Sequence, residues 1–239
     1  MKKRLCRIIS AALVLVLLIP LAGCDILWEM RANEFVDVSS DDWYFPYVVH
    51  GLRFGLIDGE RGGYFEPDRT VTVAEFVTML GRLHEHGNDT IGTPGEGAPY
   101  ERYLNWAAEL ELDFTRYRRQ YVRYVQYIDL TLPDALITRE QMAVMVVCYI
   151  RVFELTGYFE HGFTMIDMWL GDGTESYWAS ASINFLRNRL LEFDTPLWHF
   201  RPRDYATRAE VLQLLVPICF AVYDLRHPVP WHSAWDLFN

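Results

Sequence analysis

The 239-residue chain is 51% hydrophobic and 15% aromatic, enough apolar material for a sizeable core. Its 22 Lys and Arg stand against 32 Asp and Glu, a net charge of −10. That balance excludes nucleic acid held through a general electrostatic footprint, and any anionic ligand must be caught in a local cationic pocket.

The chain begins with a positive segment, Met1-Lys2-Lys3-Arg4 with Arg7, followed by an apolar stretch from Ile8 to Leu21. This stretch, broken by Ser10 and Pro20, is too short and wrongly flanked for a spanning helix and reads as a secretory signal over residues 1–23. It ends Leu21-Ala22-Gly23-Cys24, which resembles the lipobox of bacterial lipoproteins. The resemblance implies cleavage before Cys24, acylation of its sulfur and new amino group, and attachment to the outer face of the cell membrane. Two or more acyl chains make such attachment lasting. Removing residues 1–23 leaves 18 basic against 32 acidic residues, a net charge of −14. Residues 24–34 are then a lipidated tether, reaching about 35 Å at about 3.3–3.6 Å per residue.

Three similar stretches follow. In the first, Trp43 opens a helix that runs through Pro46, Tyr47, Val48 and Val49 to a glycine stop at Gly55. A turn, Phe65-Glu66-Pro67-Asp68, precedes Thr72-Val73-Ala74-Glu75, a Thr-x-x-Glu capping box, and the apolar run Phe76 to Leu83. Here His84 and His86 flank Glu85, with no further partner at metal-ligand spacing. After the Gly/Pro-rich linker at 89–98, the second stretch has a helix around Tyr103 to Ala108, a turn at Pro133-Asp134 and a box, Thr138-Arg139-Glu140-Gln141, before Met142 to Phe153. In the third, a helix opens at Trp178 and runs through Ile183, Phe185 and Leu186. The turn is Phe200-Arg201-Pro202-Arg203, and the box Thr207-Arg208-Ala209-Glu210 precedes Val211 to Tyr223. Pro217 is expected to kink this last helix. The boxes start 66 and 69 residues apart, at Thr72, Thr138 and Thr207, which marks an internal repeat. Asp37 and Asp167 are read as caps of the first helices. Cys148 and Cys219 lie in apolar runs, as buried free thiols or, alternatively, as a disulfide.

The stretch Thr115 to Tyr127 carries four Arg and four Tyr in an otherwise acidic chain. If helical, it places Tyr117, Tyr121 and Tyr124 on one face. Two readings stand: an accessory platform of Arg116, Tyr117, Arg119, Tyr121, Arg123 and Tyr124 for an anionic glycan or lipid headgroup, or an amphipathic helix whose Tyr face packs on the body. The second is favoured. No nucleophile elbow, phosphate loop or dinucleotide fingerprint occurs, so neither an enzyme nor a cofactor is expected.

The run Phe35-Val36-Asp37-Val38, Trp43, Gly55-Leu56-Ile57, Phe65-Glu66-Pro67 and Thr72 to Phe76 resembles an S-layer homology repeat. Tyr177-Trp178-Ala179, Phe200-Arg201-Pro202 and Ala206 to Glu210 resemble it again, and Trp106-Ala107 with Ile137 to Glu140 carry the middle likeness. The resemblance implies an all-α fold of three helix–loop–helix repeats in a pseudo-threefold bundle, at residues 35–88, 99–157 and 158–227, with a C-terminal tail at 228–239. It also implies a non-catalytic module whose grooves grip pyruvylated amino-sugars of secondary cell-wall polymer. Arg139 and Arg208 match the family's main contact to the acidic sugar, where a guanidinium offers paired donors to a carboxylate; equally, each reads as a solvated Arg beside a cap or as half of an ion pair with a neighbouring carboxylate. Trp43 and Trp178 would cover the sugar's apolar face, or, as aromatics at repeated positions more often do, form core. Val73 stands where the first repeat should carry its Arg, and Glu111 and Leu190 stand where Gly55 would recur. These departures motivate the alternative of a degenerate scaffold that binds another envelope protein.

Overall fold

A computed structural model describes residues 27–58, 63–87, 90–92, 97–112, 128–155, 178–190 and 200–226. Cys24, Asp167, the Arg/Tyr stretch with Arg116, Tyr117, Arg119, Tyr121, Arg123 and Tyr124, and the tail at 228–239 lie outside them. Among the described residues six helices carry the fold: α1 (Phe45–Arg53), α2 (Val73–Gly87), α3 (Glu101–Glu109), α4 (Arg139–Val152), α5 (Ser180–Arg189) and α6 (Arg208–Arg226). A further short helical turn spans 27–32, and no strand occurs among the described residues. The all-α expectation holds.

The three expected capping boxes all form. Glu75 N–H donates to Thr72 Oγ1 at 3.2 Å and Thr72 N–H to Glu75 Oε2 at 3.0 Å. The α4 box uses Gln141 in place of a carboxylate, with Thr138 N–H donating to Gln141 Oε1 at 2.9 Å. At α6, Thr207 N–H donates to Glu210 Oε2 at 3.0 Å. A box satisfies the N-cap and third-position N–H groups but leaves those of the first two helical residues without a partner.

Those remaining donors tie the molecule together. Val73 and Ala74 N–H donate to the carbonyls of Ala135 and Pro133, Arg139 and Glu140 to Asp204 and Pro202, and Arg208 and Ala209 to Arg69 and Pro67, all at 2.8–3.1 Å. Just upstream, Val71 N–H donates to Ala206 O, Ala206 N–H to Ile137 O and Ile137 N–H to Val71 O, each at 3.0 Å. The three segments before the capped helices therefore close a ring, and Val71, Ile137 and Ala206 are fully buried at its centre. The N–H groups that the boxes leave over are thus paired across the ring, which offsets the cost of burying these helix ends.

Packing repeats the same cycle: α1 lies on α6, α3 on α2 and α5 on α4. The runs along α4 from Met142 to Ile150 and along α6 from Val211 to Val222 are buried on every side, which explains why neither sequence shows an apolar stripe. The α6 helix continues through Pro217 to Arg226. Cys148 and Cys219 are both buried free thiols, and burial pushes the Cys219 thiol well up. Asp37 is not a helix cap. Tyr44 occupies the N-cap of α1 without a side-chain bond, and the Asp37 carboxylate instead accepts from the N–H groups of Phe65 and Glu66, both at 2.7 Å.

Gly55 takes the left-handed conformation expected after α1, with φ +67, and Leu56 N–H reaches back to Gly51 O at 2.8 Å. Glu111 does the same after α3, with φ +53 and Leu112 N–H bonded to Ala107 O at 2.9 Å. The missing glycine thus leaves that cap in place, whereas Leu190 is itself the C-cap of α5, with φ −126, and the residue after it lies outside the described ones.

Candidate binding cleft

Between the end of α1, one side of α2, the start of α3 and the first turn of α6 lies a cleft of about 490 Å³. Leu56, Ile57, Ala74 and Met79 make its apolar walls, with Thr72, Thr78 and the ring of Tyr100 among them. Asp58, Glu75, Arg82, Asp134 and Arg208 bring charge to it. Two of the carboxylates are already matched. Arg82 Nη2 donates to Asp58 Oδ2 at 2.9 Å. Arg69, outside the lining, grips Glu75 with both terminal nitrogens, at 2.7 and 3.2 Å. Burial by itself would raise the Glu75 carboxyl, but the Arg69 hydrogen bond, the Thr72 N–H and the two guanidinium charges outweigh it, so the group sits below the usual carboxylate range.

Among the described residues, Arg208 is the cleft's cation without an ion-pair partner, and Asp134 is its carboxylate without one. Its guanidinium lies 5.2 Å from the centre of the Phe65 ring, a fully buried side chain in the loop that Asp37 pins. Its Nε is buried with no hydrogen-bond partner, and no ion pair reaches it among the described residues. Burial, and then the neighbouring Arg69 charge, pull Arg208 below the usual arginine range. A fixed, half-dried guanidinium at a helix N-terminus, beside apolar walls, is a natural seat for a carboxylate on an otherwise apolar or hydroxylated molecule.

The equivalent position on α4 is built differently. Arg139 is only 2% exposed; its Nε donates to Glu210 Oε2 at 2.9 Å, its Nη2 bonds Glu210 Oε1, and its Nη1 reaches Asp204 Oδ2 at 3.3 Å. The protein's own carboxylates therefore hold Arg139, the ion-pair arrangement rather than the sugar contact that the resemblance implies. At the third junction, Val73 donates its N–H to the neutral Ala135, and the capping partner there is the neutral Gln141. Trp43 is 40% exposed and stands edge-on to Tyr44 and Tyr47, outside the cleft lining. Trp178 is partly buried against the core. The aromatic ring that does face the cleft is Tyr100, which no spacing singled out. Arg69 was also missed, although the sequence carried its signal: at the same place, three residues before the box Thr, the third stretch has Asp204 and the first has Arg69.

Residues 34–77 match the S-layer homology domain family. The match takes in α1, the pinned loop, the first box and much of the cleft wall. A domain of this family is a non-catalytic module that binds cell-wall polymers, and it puts the chain outside the cytoplasm, at the cell surface. Over 243 aligned residues, covering 97% of the chain, the sequence is 26% identical to an endoglucanase of Bacillus sp. (strain KSM-635). The chain spans 23% of that protein's length. Among the described residues, no helix is long and apolar enough to cross a membrane.

Proposed function

We propose that the chain is a non-catalytic envelope lipoprotein of three S-layer homology repeats in a pseudo-threefold bundle, divided at residues 35–88, 99–157 and 158–227. It binds pyruvylated secondary cell-wall polysaccharide and, through lipid on Cys24, links the membrane to the wall. The observation that carries the binding role is the Arg208 guanidinium, with a buried Nε that has no hydrogen-bond partner and no ion pair among the described residues, at a partly apolar cleft. The cyclic exchange of helix-terminal hydrogen bonds supports the repeat reading. Arg139 is assigned to holding the bundle together, because Glu210 and Asp204 occupy it.

The test is sedimentation of residues 25–239 with wall sacculi, before and after chemical removal of the secondary polymer. Binding should vanish with the polymer. Hydrogen bonds to a charged group contribute about 1.5–3 kcal/mol each, so Arg208→Ala should weaken binding by about ten-fold or more. An Arg208→Ala protein that binds like the parent would sink the assignment. A second reading, a scaffold for another envelope protein, is favoured by the two junctions without a free cation, those of Val73 and Arg139. It gains if the parent sediments with neither preparation but retains a specific protein from polymer-free envelope extract.

A further inference from the structure

We infer that Arg69 is the positioning residue that keeps the cleft open to an anion: by taking Glu75 for itself, it prevents Glu75 from closing on Arg208, so that of the three described junctions this one offers an anion seat. The inference rests on the reading of the cleft as an anion site.

The argument comes from two junctions of the same molecule built on one backbone plan. Arg208 N–H donates to the carbonyl of Arg69, and Arg139 N–H donates to the carbonyl of Asp204. Each guanidinium therefore starts beside the equivalent loop residue and near the equivalent box carboxylate, Glu75 or Glu210. The loop polarity is reversed between them. One loop carries Glu66 and Arg69, paired at 3.2 Å; the other carries Arg201 and Asp204, paired at 3.6 Å. Where the loop presents Asp204, the carboxylate Glu210 is left to clamp Arg139, and that ion pair is buried. Where it presents Arg69, that guanidinium takes both Glu75 oxygens, and Arg208 rests on Phe65 with no carboxylate at ion-pair distance among the described residues. Glu210 holds Arg139 while still accepting from Thr207 N–H at 3.0 Å, so keeping its own box does not stop Glu75 from doing likewise. At the Val73 junction the equivalent residues, Val73, Ala135 and Gln141, are all neutral, so no such ion pair forms there, and the nearby Asp134 faces the cleft instead.

The test has two arms. In the first, a double-mutant cycle of Arg208→Ala and Glu75→Gln on chemical stability measures their coupling, which needs no glycan. It should be weak in the parent, where Arg208 acts on Glu75 through its charge alone, and grow when Arg69 is replaced by Ala or, as a second variant, Gln. Equal coupling in both backgrounds overturns the inference. In the second, binding of a pyruvylated N-acetylhexosamine glycoside is measured by calorimetry. One site per chain is expected, with a loss of about ten-fold in Arg69→Ala and recovery to within about three-fold in Arg69→Ala/Glu75→Gln. An Arg69→Ala protein that binds as the parent does, or a double variant that recovers nothing, overturns it. A parent that binds no glycoside removes the anion-site reading, and the coupling arm still decides what Arg69 does to Arg208.

Discussion

Replacing Arg139 by Met keeps most of the side chain's volume but removes three contacts to carboxylates, two to Glu210 and one to Asp204. Asp204 loses little, since its side chain is 57% exposed. Glu210 is the concern: at 3% exposed it becomes a buried carboxylate whose remaining support is the Thr207 N–H and a distant Arg201 at 3.6 Å. Stranding one partner of a buried pair costs about 3–5 kcal/mol, and the residual partners put this case near the lower end. For a domain of this size that is a fall of about 6–12 °C in melting temperature. Adding Glu210→Gln removes the stranded charge and copies the box of Gln141, which holds its helix with an amide. The double variant should return to within about 1–2 kcal/mol of the parent. Urea unfolding followed by circular dichroism measures both. A single variant that loses under about 1 kcal/mol, or a double variant no more stable than the single, would refute the claim that this pair is a structural clamp.

A side chain at Gly81 would press into Cδ1 and Cε1 of Tyr103, whose hydroxyl is tied to Glu85 at 2.9 Å. Gly81→Ala should therefore destabilise by about 1–3 kcal/mol despite alanine's higher helix propensity, as thermal melts will register. Glu111 holds a left-handed conformation that costs a side-chain-bearing residue about 1–2 kcal/mol. Glu111→Gly should raise the urea midpoint, and Gly55→Ala should lower it although an added Cβ meets open space there. Because the folded Glu75 carboxyl lies below its unfolded value, its contribution is present above the ordinary carboxylate range and is lost as pH falls through the folded value. Stability curves from pH 7 to 3 should fall more steeply for the parent than for Glu75→Gln; parallel curves would contradict the Arg69–Glu75 pairing.

Local chemistry made much of the architecture readable along the chain. A Thr followed three residues later by Glu or Gln, ahead of an apolar run, specifies a helix start through bonds within four residues, and all three such starts formed. The helices at Tyr103 to Ala108 and beyond Trp43 and Trp178 were legible for the same reason, since periodicity and turn residues act over short distances. Asp37 was misread because its partners, Phe65 and Glu66, lie 28 and 29 residues away. Arg139 and Arg208 occupy the same place in their motifs, and nothing local distinguishes them. Their difference lies in what the ring of exchanged hydrogen bonds sets beside each: Asp204 with Glu210 in one case, Arg69 with Glu75 in the other. Sequence alone determined which residues cap and which turn, because those energies are settled between near neighbours. Whether an arginine is clamped or free depends on charges brought from other segments, and only the closed tertiary structure decides that.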